Sequence, residues 1–366
     1  MKHLVKYLKT LNWKIIVPII IIGFFSLLNL FSISHSLNLS LFLFKKQLVL
    51  YLLGFLLFLV LSRFNWSALK NSPFPIIAFY LVSLFILILP IVFHQQIRGT
   101  HSWLKIGFFD FQPVETIKIA LILVLSKYFS SRHIEMYQFK HLIISGGYLV
   151  IPLTLVLIQP DLGSAIILIT IWIGIIIFSG IKTKHFIILL LLAIIISLVG
   201  WLHFLKDYQK QRIISFIHPQ EKINSQNYNL HQSLIAIGSG GLTGKGILHG
   251  SQNQLGFLPE RQSDFALAAF AEEWGLSGCL ILLLSYLYFF SQLIKNSLEM
   301  NNNFSRLYLI GFCLCLFIQT VINIGVNLGL LPVTGLPLPF FSAGGSNLLA
   351  NFTMLGLAEG IIRHNR

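Results

Sequence analysis

Residues 15–30 read IIVPIIIIGFFSLLNL, and this run decides the fold class. Four lysines precede it and no small-residue cleavage site follows it, so we expect an uncleaved first membrane span rather than a signal peptide. Hydrophobic residues make up 55% of the chain and charged residues 10%, with a mean hydropathy of +0.80. Soluble domains carry about 25% charged residues, so the sequence predicts a protein of the bilayer.

Further apolar segments of spanning length recur along the chain. Ten candidates, each near the ~20 residues that a spanning helix needs, lie at about 15–34, 47–63, 75–94, 114–130, 142–158, 164–181, 185–204, 265–292, 306–328 and 346–362. The predicted fold class is an all-α polytopic membrane protein of about ten transmembrane helices with re-entrant outer loops. One large outer loop, about 205–264, joins spans 7 and 8, and residues 1–366 are expected to form a single integral membrane domain.

Charge predicts the orientation. With the N-terminus inside, most of the 26 lysines and arginines fall in short inner loops, as the positive-inside rule requires, and both termini are then cytoplasmic. The net charge of +14 requires no nucleic acid partner, because contact with anionic membrane lipid explains it. Only 12 acids are present, and those on or near the outer face are Asp110, Glu115, Asp161, Asp207, Glu221, Glu260 and Asp264. Chemistry is therefore expected to face outward.

Common metal and nucleotide motifs are missing from the sequence. The three cysteines fall in apolar runs without C-x-x-C spacing, which argues against a zinc site or a disulfide framework. The loop Gly238–Gly246 has the wrong residues for a Walker loop, and Thr243 breaks the G-x-G-x-x-G pattern. Two alternatives remain for its glycines. Their N–H groups bind a lipid-linked phosphate, or they form a tight turn buried against protein.

Two short segments place charged residues at span ends. Glu115 and Lys118 are three residues apart at a predicted helix start, so they share a face and can form an ion pair. The pair serves as a structural brace, lines a cavity, or does both. Asp161, in Gln159–Gly163, joins two spans with almost no loop. It caps the next helix, with or without a further role as an acceptor at a cavity mouth.

Two longer segments are also expected near the outer face. Residues 257–265 read FLPERQSDF and run from a polar loop straight into an apolar span. An acid at the edge of a membrane helix is costly, so Asp264 is expected to have a function, the alternative being an N-cap of the eighth span. Pro332–Ser346 contains three prolines and three glycines, which predict a re-entrant loop rather than a regular helix.

Together these segments resemble the SEDS family (shape, elongation, division and sporulation). The resemblance covers nearly the whole chain and rests on four motifs, Arg98–Lys118, Gln159–Gly163, Tyr228–Glu273 and Asn323–Ser346. Residues 257–261 and 271–273 look more like the rod-shape branch of the family than the division branch. The chain departs from the family pattern at Ser102, Val114 and Ala343.

The resemblance implies a peptidoglycan glycosyltransferase. Such enzymes polymerise lipid II, a disaccharide-pentapeptide on undecaprenyl diphosphate, at the outer face of the bacterial cytoplasmic (inner) membrane. The rod-shape branch acts in cell elongation, with a class B penicillin-binding protein transpeptidase and the elongation machinery as partners. The family's catalytic carboxylate matches Asp264.

The chemistry of this transfer suggests roles for particular residues. Diphosphate is a good leaving group, so one general base suffices, and Asp264 is the candidate. The negative charge that develops on the diphosphate as it leaves must be stabilised by cations or polar donors. Candidate binding residues are Arg98, Lys118, Arg212, Gln232, Ser233, Ser342 and Ser346. Candidate cavity-structuring residues are Trp103, Gln112, Pro113, Glu115, Asp161, Gly240, Gly241, Pro337 and Gly344. No metal site is assigned, and a divalent cation (Mg²⁺ or Mn²⁺) held by Asp264 or another acid is a candidate cofactor.

Two other classes of function compete with this reading. Acids within the membrane and broken helices also suit a transporter (flippase) of the lipid-linked precursor. However, the motifs gather on one face rather than at the midplane, and no internal repeat is visible. A scaffold for elongation or division proteins would explain the inner basic loops but not the outer acids.

Overall fold

The computed structural model describes residues 7–36, 41–93, 102–131, 139–188, 191 and 225–365, apart from positions 8, 67, 68, 70, 108 and 183. Its main helices are α1 (Trp13–Ser36), α2 (Phe42–Leu61), α3 (Phe74–Phe93), α4 (Val114–Ser130), α5 (Lys140–Ile158), α6 (Leu162–Phe178), α7 (Ser225–Gly240), α8 (Ser251–Gln254), α9 (Ala266–Leu298), α10 (Asn303–Asn327) and α11 (Gly345–His364). Between α3 and α4, strands β1 (Leu104–Ile106) and β2 (Phe109–Phe111) form an antiparallel hairpin.

Length and hydropathy identify most of these helices as membrane spans. In the described part of the chain, α1, α2, α3, α5, α9 and α10 are each long and apolar enough to cross a bilayer, and α6 is a shorter apolar helix of 17 residues. Large apolar side chains stay exposed on the outside of the bundle, among them Leu52, Phe85, Ile143 and Leu284. Lipid is the solvent that suits such a surface. The chain is an all-α multi-pass membrane protein, as the sequence predicts.

The predicted spans correspond closely to the helices. Nine of the ten segments coincide with α1–α6 and α9–α11, whereas most of the segment 185–204 lies outside the described residues. The hairpin β1–β2 is an addition that hydropathy does not predict, because each strand is only three residues long.

The described part of the predicted large outer loop, about 205–264, contains α7 and the short helix α8. In α7, Ser233, Ala236 and Gly240 recur every three or four residues and are all buried, so they form one packed face. The hydroxyl of Ser233 donates to the backbone oxygen of Asn327, 2.8 Å away in α10. The helix is too polar for a span, but its narrow stripe is enough to pack against α9 and α10.

Helix α9 is interrupted at Gly275, where φ is 64° and ψ is −166°. The loop after α7 enters this break, and the backbone oxygen of Gly241 accepts a hydrogen bond from the N–H of Leu276 at 2.9 Å. A Cβ on Gly275 would lie 2.2 Å from the nitrogen of Gly244, and a Cβ on Gly244 would lie 2.2 Å from the oxygen of Glu273. Gly244 and Gly275 therefore allow the loop to approach α9 closely, whereas Gly238, Gly241 and Gly246 are exposed. Binding of a lipid-linked phosphate by this loop stays a prediction.

Glu272 on α9 holds the rest of the same loop. Its carboxylate is fully buried and accepts hydrogen bonds from the Lys245 ammonium at 2.7 Å and from the backbone N–H groups of Gln252 and Asn253 at 3.0 Å each. One buried acid thus fixes the segment that leads from α7 to α8.

Helices α2 and α11 pack closely through small residues. Gly356 and Gly360 form a G-x-x-x-G pattern in α11. A Cβ on Gly356 would lie 2.8 Å from the Cβ of Leu61, and a Cβ on Gly360 would lie 2.7 Å from the backbone oxygen of Phe64. Glycine at this spacing lets two membrane helices approach closely, so this pairing depends on the missing side chains.

Polar contacts gather at the two ends of the bundle. The end that carries the hairpin and the segments before α6, α9 and α11 is called the site end. At the opposite end, the carboxylate of Glu359 accepts a hydrogen bond from the N–H of Asn12 at 2.8 Å, just before α1 begins. Nearby, the guanidinium groups of Arg63 and Arg363 lie 5.0 and 5.1 Å from the ring centroid of Tyr7.

Candidate active site

Asp264 lies in the segment between α8 and α9, residues 257–265, which we call the strap. Asn323 and Asn327, one turn apart on α10, donate to the backbone oxygen of Asp264 at 3.0 and 2.9 Å. Helix α9 begins at Ala266 with Phe265 in the N-cap position, so Asp264 is not the N-cap residue. Its side chain is half-buried at the site end. Its role as the general base stays a prediction.

The strap is anchored on both sides of Asp264. The hydroxyl of Ser342 donates to the backbone oxygen of Ser263 at 2.6 Å, and the N–H of Ala343 donates to that of Gln262 at 2.8 Å. Glu260 adopts a φ of 48°, which is strained for a residue with a side chain, and its carboxylate accepts from the Ser263 hydroxyl at 2.7 Å. Several contacts therefore hold one conformation of this segment.

The segment 328–344, called the late loop, connects Asp264 with the start of α6. A Cβ on Gly335 would lie 3.8 Å from a carboxylate oxygen of Asp264. On the neighbouring side, a Cβ on Gly163 would lie 2.9 Å from the backbone oxygen of Thr334. The loop thus runs between the Asp264 carboxylate and the helix that Asp161 precedes.

Glu115 and Lys118 form the ion pair that their spacing predicts. Their charged groups are 2.7 Å apart, and both side chains are almost fully buried. The side-chain amide of Asn347, on α11, donates to the other oxygen of Glu115 at 3.2 Å, and Asn351 donates to Asn347 at 2.9 Å. The pair therefore braces α4 against α11. Contact of either residue with substrate stays a prediction.

Asp161 caps α6, as predicted. Its carboxylate accepts hydrogen bonds from the N–H and the hydroxyl of Ser164, at 3.0 and 2.7 Å. The side-chain amide of Gln112, just before α4, donates to it at 3.2 Å. Burial raises the pKa of the Asp161 carboxyl, whereas the Ser164 hydrogen bonds and the nearby charge of Lys118 lower it. Asp161 therefore ties the starts of α4 and α6 together.

The two serines predicted to bind diphosphate are engaged with the backbone. The buried hydroxyl of Ser346 accepts from the N–H of Gln112 at 3.0 Å and donates to the backbone oxygen of Asp110 at 2.8 Å. The buried hydroxyl of Ser342 holds the strap through Ser263. These contacts position the hairpin and the strap. Binding of diphosphate by either hydroxyl stays a prediction.

The other predicted binding residues are less well defined by the structure. Arg98 and Arg212 lie outside the described residues. Ser233 is used in packing α7 against α10. Gln232, beside it, has a buried side-chain oxygen without a hydrogen-bond partner. Binding of diphosphate by any of these four residues stays a prediction.

The residues predicted to structure the cavity stand at helix ends and turns. Pro113 is the N-cap residue of α4 and Gly344 that of α11. A Cβ on Gly240 would lie 2.1 Å from the backbone oxygen of Ala271, so this position excludes any side chain. The oxygen of Pro337 accepts from the side chain of Gln319 on α10 at 2.9 Å. Such contacts hold the connections at the site end in place.

Arg261, three residues before Asp264 in the strap, is a functional candidate that sequence reasoning missed. It is 5% exposed, and its guanidinium makes no hydrogen bond or ion pair with the described part of the chain. Burial lowers the pKa of Arg261, but a guanidinium in a protein keeps its charge. An unpaired buried cation is costly, so this group is suited to receive an anion. The available signal was a lone basic residue beside the predicted catalytic acid.

The described residues around Asp264 were the candidates for a metal site. Among the residues that the structure describes, no group of three or more His, Cys, Asp or Glu side chains is arranged to hold a metal ion. A divalent cation held by Asp264 therefore stays a prediction.

Residues 9–366 match the family model of the FtsW, RodA and SpoVE cell cycle proteins. The chain belongs to this family. It is similar to the peptidoglycan glycosyltransferase MrdB of Escherichia coli K12, with 36% identity over 287 residues, 78% of this chain and 77% of the relative. The resemblance drawn from the four motifs is thereby confirmed.

Solved structures of the family share this fold. One chain of a peptidoglycan synthase complex, solved to describe the coordination of polymerization and crosslinking, matches with a TM-score of 0.82 and 28% identity, covering 97% of this chain and 98% of that chain. The rod shape determining protein RodA of Thermus thermophilus matches with a TM-score of 0.69 and 28% identity, covering 97% of each chain.

Proposed function

We propose that this member of the family is a peptidoglycan glycosyltransferase that polymerises lipid II at the outer face of the cytoplasmic membrane during cell elongation. The observation that carries the proposal is the placement of Asp264. Its backbone is fixed by Asn323 and Asn327, and its carboxylate lies at the site end with the buried, unpaired Arg261 in the same strap. The activity for which the relative MrdB is named supports the same reaction.

Each of these groups has a distinct part in the proposed reaction. An acceptor hydroxyl attacks the anomeric carbon of the donor, and Asp264 takes its proton. A positioned general base of this kind contributes roughly 10²–10⁴-fold. The bond from the anomeric carbon to the diphosphate breaks, and the electron pair leaves with the diphosphate. Arg261 meets that charge with paired N–H donors. Lys118 is neutralised by Glu115, so it supports the geometry of α4.

The proposed orientation puts both termini in the cytoplasm and the site end outside. The predominance of lysine and arginine in short inner loops supports it. We take residues 1–366 as a single membrane domain whose partners are a class B penicillin-binding protein and the elongation machinery. The likeness to a chain of a peptidoglycan synthase complex supports the transpeptidase partner.

The test is polymerisation of fluorescent lipid II by the purified chain in lipid nanodiscs, with and without its transpeptidase. Asp264→Asn removes the base, so the rate should fall by about 10²-fold or more. Glu299→Gln, an exposed acid at the opposite end, is the matched control and should keep the wild-type rate. If Asp264→Asn polymerises lipid II at a near-normal rate and unfolds at the wild-type temperature, Asp264 is not the general base.

A flippase is the second candidate, and the buried charges of Glu115 and Lys118 within a span are the observation that favours it. Sealed vesicles with labelled lipid II separate the two functions. A flippase moves the label across the bilayer without forming polymer. Polymer without movement supports the glycosyltransferase, and movement without polymer supports the transporter.

A further inference from the structure

An apolar cleft of ≈ 300 Å³ opens on the side of the bundle between α1, α2 and α11, and we call it the lateral cleft. On α1 it runs from Ile16 in the first turn to Leu27, and on α2 it runs from Phe58 back to Tyr51. Helix α1 begins and α2 ends at the end opposite the site, so the cleft occupies that half of the bundle. Among the described residues that line it, none belongs to the strap or to the late loop.

The walls of the lateral cleft are hydrocarbon. The lining residues are isoleucine, leucine, phenylalanine and glycine, with Tyr51 as the exception. The hydroxyl of Tyr51 donates to the backbone oxygen of Phe340, so it is already engaged within the fold. Ile20, Phe24 and Leu52 are each more than half exposed, so the cleft is open to the surrounding lipid. An apolar cavity excludes water, and hydrocarbon is the material that fills it within a bilayer.

The length of the lateral cleft matches one leaflet. Leu27 lies eleven positions after Ile16, which at 1.5 Å per residue is roughly 16 Å along α1. Half of a ~30 Å hydrocarbon core is about 15 Å. A volume of ≈ 300 Å³ over this length has room for one slender chain, whereas an α-helix is about 10 Å across. The shape therefore favours an acyl chain over a transmembrane helix of a partner.

Two arginines lie just beyond the cleft, at the end opposite the site, and we call them the arginine pair. The guanidinium carbons of Arg63 and Arg363 are 5.0 and 5.1 Å from the ring centroid of Tyr7, so they are no more than about 10 Å apart. The hydroxyl of Tyr7 donates to the backbone oxygen of Leu59 at 3.0 Å, and the preceding residue, Phe58, lines the cleft. Arg63 is five positions beyond Phe58, roughly 8 Å along a helix axis. That distance is about the depth of the polar head-group region on one side of a bilayer.

The positive charge of the arginine pair is not balanced by an acid. Within the described part of the chain, neither guanidinium forms an ion pair with a carboxylate, and that of Arg363 donates to the backbone oxygen of Arg63 at 2.9 Å. The carboxylate of Glu359, one turn before Arg363, is buried and accepts from the backbone just before α1. Two like charges at this separation repel each other, and an anion between them is attracted to both. Guanidinium groups bind phosphate oxygens with paired N–H donors.

We propose that the lateral cleft and the arginine pair form one binding site for a phospholipid with an anionic head group. One acyl chain fills the cleft, and the head-group phosphate lies between Arg63 and Arg363. A free anion would leave the cleft empty, and a neutral lipid would leave the arginine pair unbalanced. Trp13 is exposed at the start of α1, the position at which tryptophan marks a membrane interface. The site is independent of the proposed reaction, and only its assignment to the cytoplasmic leaflet rests on the proposed orientation.

The first experiment tests the head-group contacts by native mass spectrometry of the full chain in detergent. Phosphatidylglycerol and phosphatidylcholine of equal chain length are titrated, and the wild type should retain one phosphatidylglycerol at about 10-fold lower concentration. The double variant Arg63→Gln with Arg363→Gln should lose this preference, whereas Arg63→Lys with Arg363→Lys should keep part of it. Lys140→Gln with Lys295→Gln, two exposed cations at the same end, is the matched control and should keep all of it.

The second experiment tests the acyl-chain contacts. Leu52→Trp fills the cleft and should weaken binding of phosphatidylglycerol about 10-fold. Leu53→Trp, at the next and similarly exposed position of α2, does not line the cleft and is the matched control. Thermal unfolding without added lipid checks that each variant folds. Added phosphatidylglycerol should then raise the unfolding temperature of the wild type and of Leu53→Trp more than that of Leu52→Trp.

Four results would overturn the proposal. The wild type binds both lipids equally, or the double Gln variant keeps the preference of the wild type. Leu52→Trp binds phosphatidylglycerol as Leu53→Trp does. Glycerophosphoglycerol, the head group without chains, binds as tightly as the whole lipid, which would make the arginine pair a site for free anions. Undecaprenyl phosphate displaces phosphatidylglycerol from the wild type but binds poorly to Leu52→Trp, which would assign the cleft to a polyprenyl chain.

Discussion

Lys118 and Arg261 are both buried cations at the site end, but their surroundings differ. Lys118 lies 2.7 Å from Glu115, so its charge is balanced within the fold. Arg261 has no such partner in the described residues and sits in the strap that carries Asp264. An unpaired buried charge lowers the stability of a fold by several kcal/mol. The structure therefore separates a bracing cation from one available to an anionic ligand.

We expect Arg261→Gln to lower kcat/KM for lipid II about 10–100-fold, because one charge-assisted pair of hydrogen bonds is lost. Arg261→Lys should lose less, since it keeps the charge but not the planar fork. The direct measurement is inhibition by inorganic pyrophosphate, which should weaken in the Gln variant. If pyrophosphate inhibits both variants as it does the wild type, Arg261 does not bind the leaving group.

The Glu115–Lys118 pair makes a separate prediction. Changing either residue to Ala leaves the other charge buried and should destabilise the fold by about 3–5 kcal/mol. The double variant Glu115→Lys with Lys118→Glu should recover part of that loss, because the amide of Asn347 can reverse to face an ammonium. Thermal unfolding and polymerisation are both measured. If the swap is as inactive as the single changes while its stability recovers, one of these residues has a role beyond bracing.

At the residue scale, the sequence predicts the contacts that depend on spacing along the chain. The i, i+3 distance places Glu115 beside Lys118, and a carboxylate directly before an apolar helix predicts the cap made by Asp161. Arg261 could not be found this way, because its isolation results from packing between distant segments. The same holds for Ser342 and Ser346, whose backbone partners are 79 and 236 residues away.

At the scale of elements, the break in α9 determines how the site end is supported. Gly275 leaves the helical conformation so that the loop after α7 can enter, and both sides of the break exchange hydrogen bonds with that loop. The first part of α9, which follows directly from the strap, is thereby tied to α7 as well as to α10. Support for Asp264 thus comes from three helices rather than from the strap alone.

Gly275→Ala should destabilise the protein by about 1–3 kcal/mol or more, because its φ is 64° and the new Cβ would collide with the backbone of Gly244. Gly147→Ala is the matched control. Gly147 lies in α5 with open space around it, so the change should be neutral or stabilise by up to about 1 kcal/mol. Thermal unfolding in detergent compares the two. Equal unfolding temperatures would show that the break in α9 is not required for stability.

Hydropathy predicts the spanning helices because each of them must contain enough consecutive apolar residues to cross the lipid. It does not predict α7. That helix has a mean composition too polar for a span, and its buried face of Ser233, Ala236 and Gly240 is made of small residues. For the same reason the sequence does not predict that Gly244 lies against the break in α9, because that contact depends on the position of a distant helix.

Across the whole molecule, the ends of the chain are joined at the face opposite the site. Glu359 accepts the N–H of Asn12, and the two residues are 347 positions apart. The first turn of α1 contains no acidic residue. Glu359 of α11 therefore supplies the negative charge that stabilises a helix N-terminus. No local pattern predicts such a contact, although the alternation of spans does predict that the four motifs share one end.

Glu359→Ala should lower the free energy of unfolding by about 1–3 kcal/mol, because the N–H of Asn12 loses its acceptor while buried. Glu299→Ala, an exposed acid at the same end, should change it by less than about 0.5 kcal/mol. Unfolding is followed by thermal shift, and polymerisation is assayed well below the transition. Lost activity in a Glu359→Ala protein that remains fully folded would assign this contact a role in the reaction itself.

The close packing of α2 on α11 has a consequence for how the protein is made. The end of α2 and the residues just after it, which receive Gly356 and Gly360, are synthesised about 300 residues before these glycines leave the ribosome. Throughout elongation of the nascent chain that surface is open to lipid or to an insertase. Final assembly must wait for release of the last helix, so a ribosome that stalls before residue 345 leaves an unfinished bundle exposed to membrane proteases.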